Sequence, residues 1–323
     1  MMGHLRSLSV SQQIGLLFVV LFGLLSLVTL IAFTRTLRER SDAQLALHER
    51  FRRDLRAVWV GAVLFWIAWI AGTAVSTVLF AIVSFLALRE FVTLTHTRRG
   101  DHRTLLLAFF IVLPLQYLIV AGREFNLFTV FIPVYVFLAI PVVSALGNDP
   151  QRFLERTAKI QWGIMVCVYG MSHAPALLLL NLPDYEEHGA FLVLVLVAVV
   201  VVAQIAQETA SRRLRRRPVA RAISRSFSWR AWLTGALAAG IAGGLLYWAT
   251  PFKPWPAVLM GLLAGGAGTL GEFVMQALKK DAGVRNWGGK ASVTGAVGLL
   301  DRVAPLCFAA PVFFHSVRWY FGL

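Results

Sequence analysis

Long apolar runs, separated by short polar stretches, recur along the whole chain. A spanning helix needs about 20 largely apolar residues. Ten stretches come near that length: 12–34, 57–72, 74–91, 104–122, 125–147, 160–181, 189–208, 231–250, 255–278 and 299–319. Helix is the expected element, because backbone polar groups in lipid must be satisfied within their own segment. The second and third stretches are short and meet at Gly72. They read either as two spans sharing a tight turn or as one re-entrant element. The pattern predicts an all-α, polytopic integral membrane protein of about ten transmembrane helices.

Composition agrees with the pattern. Of 323 residues, 58% are hydrophobic, and the mean hydropathy is +0.70. A soluble fold has no means of hiding that much apolar surface. No soluble domain, repeat or low-complexity tract interrupts the helices, so 1–323 reads as a single transmembrane domain, with 1–200 as its N-terminal helices and 201–323 as its C-terminal half. The first apolar run lacks a small-residue cleavage site and is kept as a helix. Cys167 and Cys307 lie in apolar stretches and read as small core residues.

The net charge of +15 changes the picture only in where it falls. In a membrane chain it points to basic loops, and no nucleic-acid partner is expected. Arginines crowd 35–56, 92–103 and the run "RRLRRRPVARAISRSFSWR" at 212–230, while Arg152, Arg156 and Lys159 precede the sixth span. The acidic loop "PDYEEH" lies between spans six and seven. Basic loops inside and this acidic loop outside alternate consistently if the N-terminus is outside. The expected location is a bacterial inner membrane, with 212–230 and 278–298 facing the cytoplasm.

Candidate chemistry concentrates near the C-terminal end, in "LKKDAGVRNWGGKASVTGAVGLLDRV" at 278–303. Lys279 and Lys280 close a helix, where cations also complement its dipole. The glycines permit tight turns and close backbone approach to a ligand. Asp301 and Arg302 stand on the rim of the last span, where ionisable residues are either paired or functional. A solvated loop with an interfacial salt bridge is one reading. A phosphate and metal site is the other, since basic side chains hold phosphates and carboxylates hold Mg²⁺. Gln204 and Glu208 share a helix face, Glu272 follows a glycine-rich run, and Asp281 is close by in sequence. Leaving carboxylates separately in lipid is costly, so Glu208, Glu272 and Asp301 are expected to converge on one polar cavity, which Asp281 could also face. His173 reads as a helix-packing residue, with no second His or Cys at ligand spacing. His315 and Arg318 read as interfacial anchors with Trp319 and Tyr320.

The C-terminal 120 or so residues resemble the phosphatidate cytidylyltransferases, or CDP-diacylglycerol synthases. Lys279 and Lys280 stand at that family's Lys-Arg, Arg285 and Asn286 at its Lys-Asp, and Asp301 and Arg302 at its Asp-Arg-x-Asp. Gly271 and Glu272 resemble its Gly-Asp, Gln207 and Glu208 its Asn-Asp. Ile223, Ser224 and Trp229 match its Ile-Ser-Pro-Lys-Lys-Thr-Trp-Glu-Gly, and "LREF" with Glu90 matches an N-terminal feature. The departures are Asn286 and Ala304 in place of aspartates, Ala296 or Thr294 in place of the turn histidine, and Arg225, Ser226, Phe227, Ser228 and Arg230 in the upstream segment.

The resemblance implies transfer of a cytidylyl group from CTP to phosphatidic acid, giving CDP-diacylglycerol and pyrophosphate. It implies Mg²⁺ on Asp301, with Glu272, Glu208, Asp281 and Asn286 as further ligands. Lys279, Lys280 and Arg302 would hold phosphates beside Asp301, and Ser224, Arg225, Gly295 and Gly298 would bind substrate. Expected partners are CTP, phosphatidic acid and membrane lipids, with a homodimer left open. Two other readings stand beside it: a relative that binds a phospholipid or nucleotide without turnover, and a transporter. The transporter is disfavoured because the charges cluster at one end of the spans instead of mid-membrane.

Overall fold

Every apolar stretch marked by hydropathy is helical in the structure, a computed structural model that describes residues 10–36, 42–95, 97–182, 185, 189–214, 218–224, 227–284 and 298–323. The helices are α1 (Val10–Thr36), α2 (Asp42–Ala71), α3 (Thr73–Leu94), α4 (Arg99–Ala121), α5 (Phe125–Ala145), α6 (153–178), α7 (Gly189–Leu214), α8 (Trp229–Leu245), α9 (Pro254–Asp281) and α10 (Leu299–Phe321). The described residues contain no strand. The chain is a helical membrane protein. Six helices, α1, α3, α4, α5, α7 and α9, are long and apolar enough to cross a membrane by themselves. The other four stretches fall short of that measure. The apolar part of α2 is only Val58–Ala71, and α8 has 17 residues. α6 and α10 carry charged residues near their ends, among them Arg156, Asp301 and Arg318. The sequence expectation of about ten spans therefore resolves into six that meet the length and hydropathy of a span.

The chain divides into two compact units, one reaching Ser76 and one running from Thr77 to Leu323. In the first, aromatic rings join α1 to α2. Phe18 meets the edge of Trp66 with ring centroids 5.0 Å apart, and Trp66 stacks on Trp69 at 5.0 Å. Trp59 Nε1 donates to Thr29 Oγ1 at 3.0 Å, which satisfies an indole that lipid leaves unpaired. Gly72 alone separates α2 from α3. Its φ of +93° is a conformation that side chains disfavour, so the tight turn expected at this glycine is present. Ser76 Oγ locks the turn by donating to Ala68 O at 2.9 Å.

In the second unit, small residues let helices touch backbone to backbone. α7 packs on α8, α8 on α9, α9 on α10, and α6 on α10. Gly243 of α8 faces Gly261 of α9, and Gly235 faces Ala203 of α7. The core holds Phe91, Phe128, Phe191, Phe313 and Phe314, each less than 3% exposed. Cys167 and Cys307 are buried free thiols, as their apolar neighbours suggest. α4, α5 and α6 each widen for one π turn, at 108–112, 131–136 and 165–170. Two of these sit at or beside prolines, Pro114 and Pro133, whose missing N–H breaks the regular ladder.

Candidate active site

The face of α9 that carries the site is set by helical spacing. Glu272, Gln276 and Lys279 follow one another at intervals of four and three residues, so they line one side of the helix. Over seven residues that strip is about 10 Å long. Glu272 stands at its inner end, half-buried. Its carboxylate accepts from Gln204 Nε2 of α7 at 3.1 Å and from Gln276 Nε2 at 3.4 Å. Two amide donors thus meet a charge that an apolar bundle otherwise penalises. At the outer end, Lys279 Nζ pairs with Asp301 Oδ1 at 2.5 Å, the two side chains 18% and 27% exposed. Lys280, Asp281 and Arg302 are exposed beside this pair.

Asp301 lies in the first turn of α10, and that turn is held from a distance. Gly298 occupies the N-cap with φ +78° and has no side chain with which to cap. Glu90 of α3, 4% exposed, supplies the missing group. Its Oε1 accepts from the Gly298 and Leu299 N–H groups at 2.9 and 3.1 Å, and its Oε2 from Leu300 N–H at 2.8 Å. These are donors a helix start leaves unpaired, and the helix dipole favours a negative group there. The sequence signalled Glu90 only as part of "LREF", without a role. A protein carboxylate thus already fills this helix start.

The remaining expected site residues are placed as follows. Glu208 is exposed and pairs with Arg212 one turn on, at 2.5 Å. Ser224 is buried, and its Oγ accepts the Phe227 N–H at 3.2 Å, which shapes the turn before α8. Phe227 stacks on Phe273 at 4.2 Å and seats that turn against α9 beside Glu272. Ser228 caps α8 by accepting from Ala231 N–H at 3.3 Å. Arg225, Asn286 and Gly295 lie outside the described residues. Among the described residues, no three or more of His, Cys, Asp and Glu gather to hold a metal. Glu208, Glu272, Asp281 and Asp301 do not form such a group. Asp301 is bound to Lys279, Glu272 to two amides and Glu208 to Arg212. The described carboxylates thus do not by themselves fit a Mg²⁺ ion.

Two further polar clusters escaped sequence reasoning. Beyond the end of α3, Arg156 reaches Asp101 at 3.1 Å and Asp149 at 2.5 Å, with Arg156 and Asp101 side chains only 4% and 1% exposed. Arg98 adds its backbone N–H to Asp101 Oδ2 at 2.9 Å and its guanidinium to Asp149 at 3.5 Å. The Gln151 N–H and then the Arg156 and Arg98 guanidinium groups hold the Asp149 carboxyl below its ordinary value. Arg156 is thus an internal clamp, although by sequence it was one more basic loop residue. Deeper in the bundle, His173 is not isolated. Its Nδ1 contacts Tyr169 O at 2.7 Å, and its ring lies 5.2 Å from that of His315.

The chain belongs to the cytidylyltransferase family, whose pattern matches residues 51–320. Among its relatives is the uncharacterised protein YnbB of Escherichia coli (strain K12). The two are 36% identical over 308 residues, covering 93% of this chain and 96% of that one. A phosphatidate cytidylyltransferase of Synechocystis sp. is 34% identical over 84 residues, 26% of this chain and 27% of that one.

Proposed function

We propose that this chain is a membrane phosphatidate cytidylyltransferase that joins CTP and phosphatidic acid into CDP-diacylglycerol and pyrophosphate. The observation that carries the reading is the Lys279–Asp301 pair at the end of α9, with Lys280 and Arg302 exposed beside it. A phosphate oxygen of the lipid attacks the α-phosphorus of CTP. The new P–O bond forms as the α–β bridging bond breaks, and its electrons leave with pyrophosphate. The attacking phosphate is already ionised near neutral pH, so no strong base is required. Catalysis then consists of positioning and of neutralising charge on the phosphates. Lys280 and Arg302 offer point charge and a planar fork. Asp301 orients Lys279 towards the same end. The family membership and the local likeness to a phosphatidate cytidylyltransferase support this substrate class.

Mg²⁺ enters the reading through the carboxylates of the charged segment and the family resemblance. Asp301, Glu272 and Glu208 are each held by another group, and no step is assigned to the ion. We place the site on the cytoplasmic side of an inner membrane, where CTP is available and where the Arg-rich loops belong. A second reading is a relative that binds a phospholipid or nucleotide without turnover, favoured by Ala304 and by the neutralisation of Asp301 by Lys279. Pyrophosphate release in detergent micelles separates the two, measured with and without Mg²⁺. Release that requires both CTP and phosphatidate supports the enzyme. CTP binding without release supports the second reading.

A further inference from the structure

Glu90 is a charged residue in the most tightly packed part of its helix. Its neighbours Ala87, Leu88 and Phe91 are 0%, 1% and 2% exposed, so its backbone is anchored in the core. Its two carboxylate oxygens take three consecutive N–H groups, from Gly298, Leu299 and Leu300. A group that grips three successive amides fixes both the axis and the rotation of the turn they belong to. That turn presents Asp301 and Arg302. A cap from α3 ties the turn to a separate helix whose backbone is anchored in the core.

We propose that Glu90 is a positioning residue for nucleotidyl transfer. By clamping the first turn of α10, it sets where Asp301 and Arg302 stand relative to Lys279. The inference rests on the functional reading given above, and it adds to that reading a residue outside the phosphate-handling group. The carboxylate is required as such. A glutamine offers one acceptor oxygen, and its amide NH₂ turns a donor towards the backbone donors. An aspartate keeps both oxygens and the charge on a stem one methylene shorter.

The test compares the purified full chain with Glu90→Gln and Glu90→Asp. Two quantities are read: backbone amide exchange, segment by segment, and the kinetics of CTP turnover with phosphatidate. In Glu90→Gln, amides 298–300 should exchange at least about tenfold faster, while those of 84–91 keep their wild-type rates. Its kcat should fall by about tenfold or more with KM for CTP within about threefold, and Glu90→Asp should recover most of the loss. Unchanged exchange and unchanged kcat in Glu90→Gln overturn the proposal. So does faster exchange spread evenly through the bundle with Glu90→Asp equally impaired, the signature of a purely structural residue. If the wild type itself transfers no cytidylyl group, the functional reading fails on its own. The exchange rates then still decide whether Glu90 holds the first turn of α10.

Discussion

Replacing Arg156 with methionine tests the clamp that joins the start of α4, the loop before α6 and the first turn of α6. Arg156 and Asp101 are 4% and 1% exposed and lie 3.1 Å apart, so the substitution removes the cation beside a carboxylate with almost no access to water and leaves it the Arg98 N–H. Removing one member of such a buried pair costs about 3–5 kcal/mol. An exposed pair costs roughly 0–1 kcal/mol. At the roughly 2–4 °C per kcal/mol typical of larger soluble domains, the midpoint of thermal unfolding should drop by about 6–20 °C. The chain has 10 tryptophans, so intrinsic fluorescence in detergent follows the transition. The double variant Arg156→Met with Asp101→Leu removes both buried charges and leaves Arg98 facing Asp149. It should lie within about 2 kcal/mol of wild type, because an apolar pair of similar volume often replaces a buried ion pair without loss. A single variant that loses no more than about 1 kcal/mol would show that Asp101 is solvated, and the clamp argument would fail.

Three further outcomes are expected. A Cβ at Gly243 would stand 2.6 Å from Ala257 O. Gly243→Ala should therefore push α8 from α9 and lose about 1–3 kcal/mol in the same fluorescence assay. The folded Asp149 carboxyl lies below its ordinary value. Its stabilisation is thus complete above the ordinary carboxylate value and is lost as pH falls towards and through the folded one. Unfolding midpoints measured between pH 7 and pH 3 should fall less steeply in Asp149→Asn than in wild type, and parallel curves would exclude the effect. Single cysteines at Val219 and Lys253, placed in a chain lacking Cys167 and Cys307, should react with a membrane-impermeant maleimide from opposite sides. Reaction of both from one side would exclude the proposed orientation.

The helical plan was legible because a bilayer leaves the chain few choices. Apolar length predicts helix, and a glycine at 72 between two apolar runs marks a break in it, where α2 and α3 do meet. The Lys279–Asp301 meeting was partly legible, since both residues sat in one charged segment near a resembling motif. What stayed hidden was pairing across the fold. Glu90 caps amides more than 200 positions away, and neither local spacing nor charge patterning carries that information. Arg156 looked like a topogenic loop residue because charge counting does not see burial. The carboxylates were expected together on the ground that isolated charges in lipid are costly. In the fold each of three also has its own partner, an amide pair at Glu272, a lysine at Asp301 and an arginine at Glu208. Ser224 matched a substrate-binding pattern and is spent, at least in part, on the geometry of its own turn.

The central claim is that the Lys279–Asp301 end of α9 and α10 transfers a cytidylyl group to a lipid phosphate. The direct measurement follows CTP labelled at its α-phosphate, incubated with phosphatidic acid and the purified chain, and extracts the lipid phase. The account predicts α-label in a lipid product, none when the label is on the γ-phosphate, and none from the Asp301→Asn variant. No labelled lipid from the wild type, or equal labelling by wild type and Asp301→Asn, would contradict it.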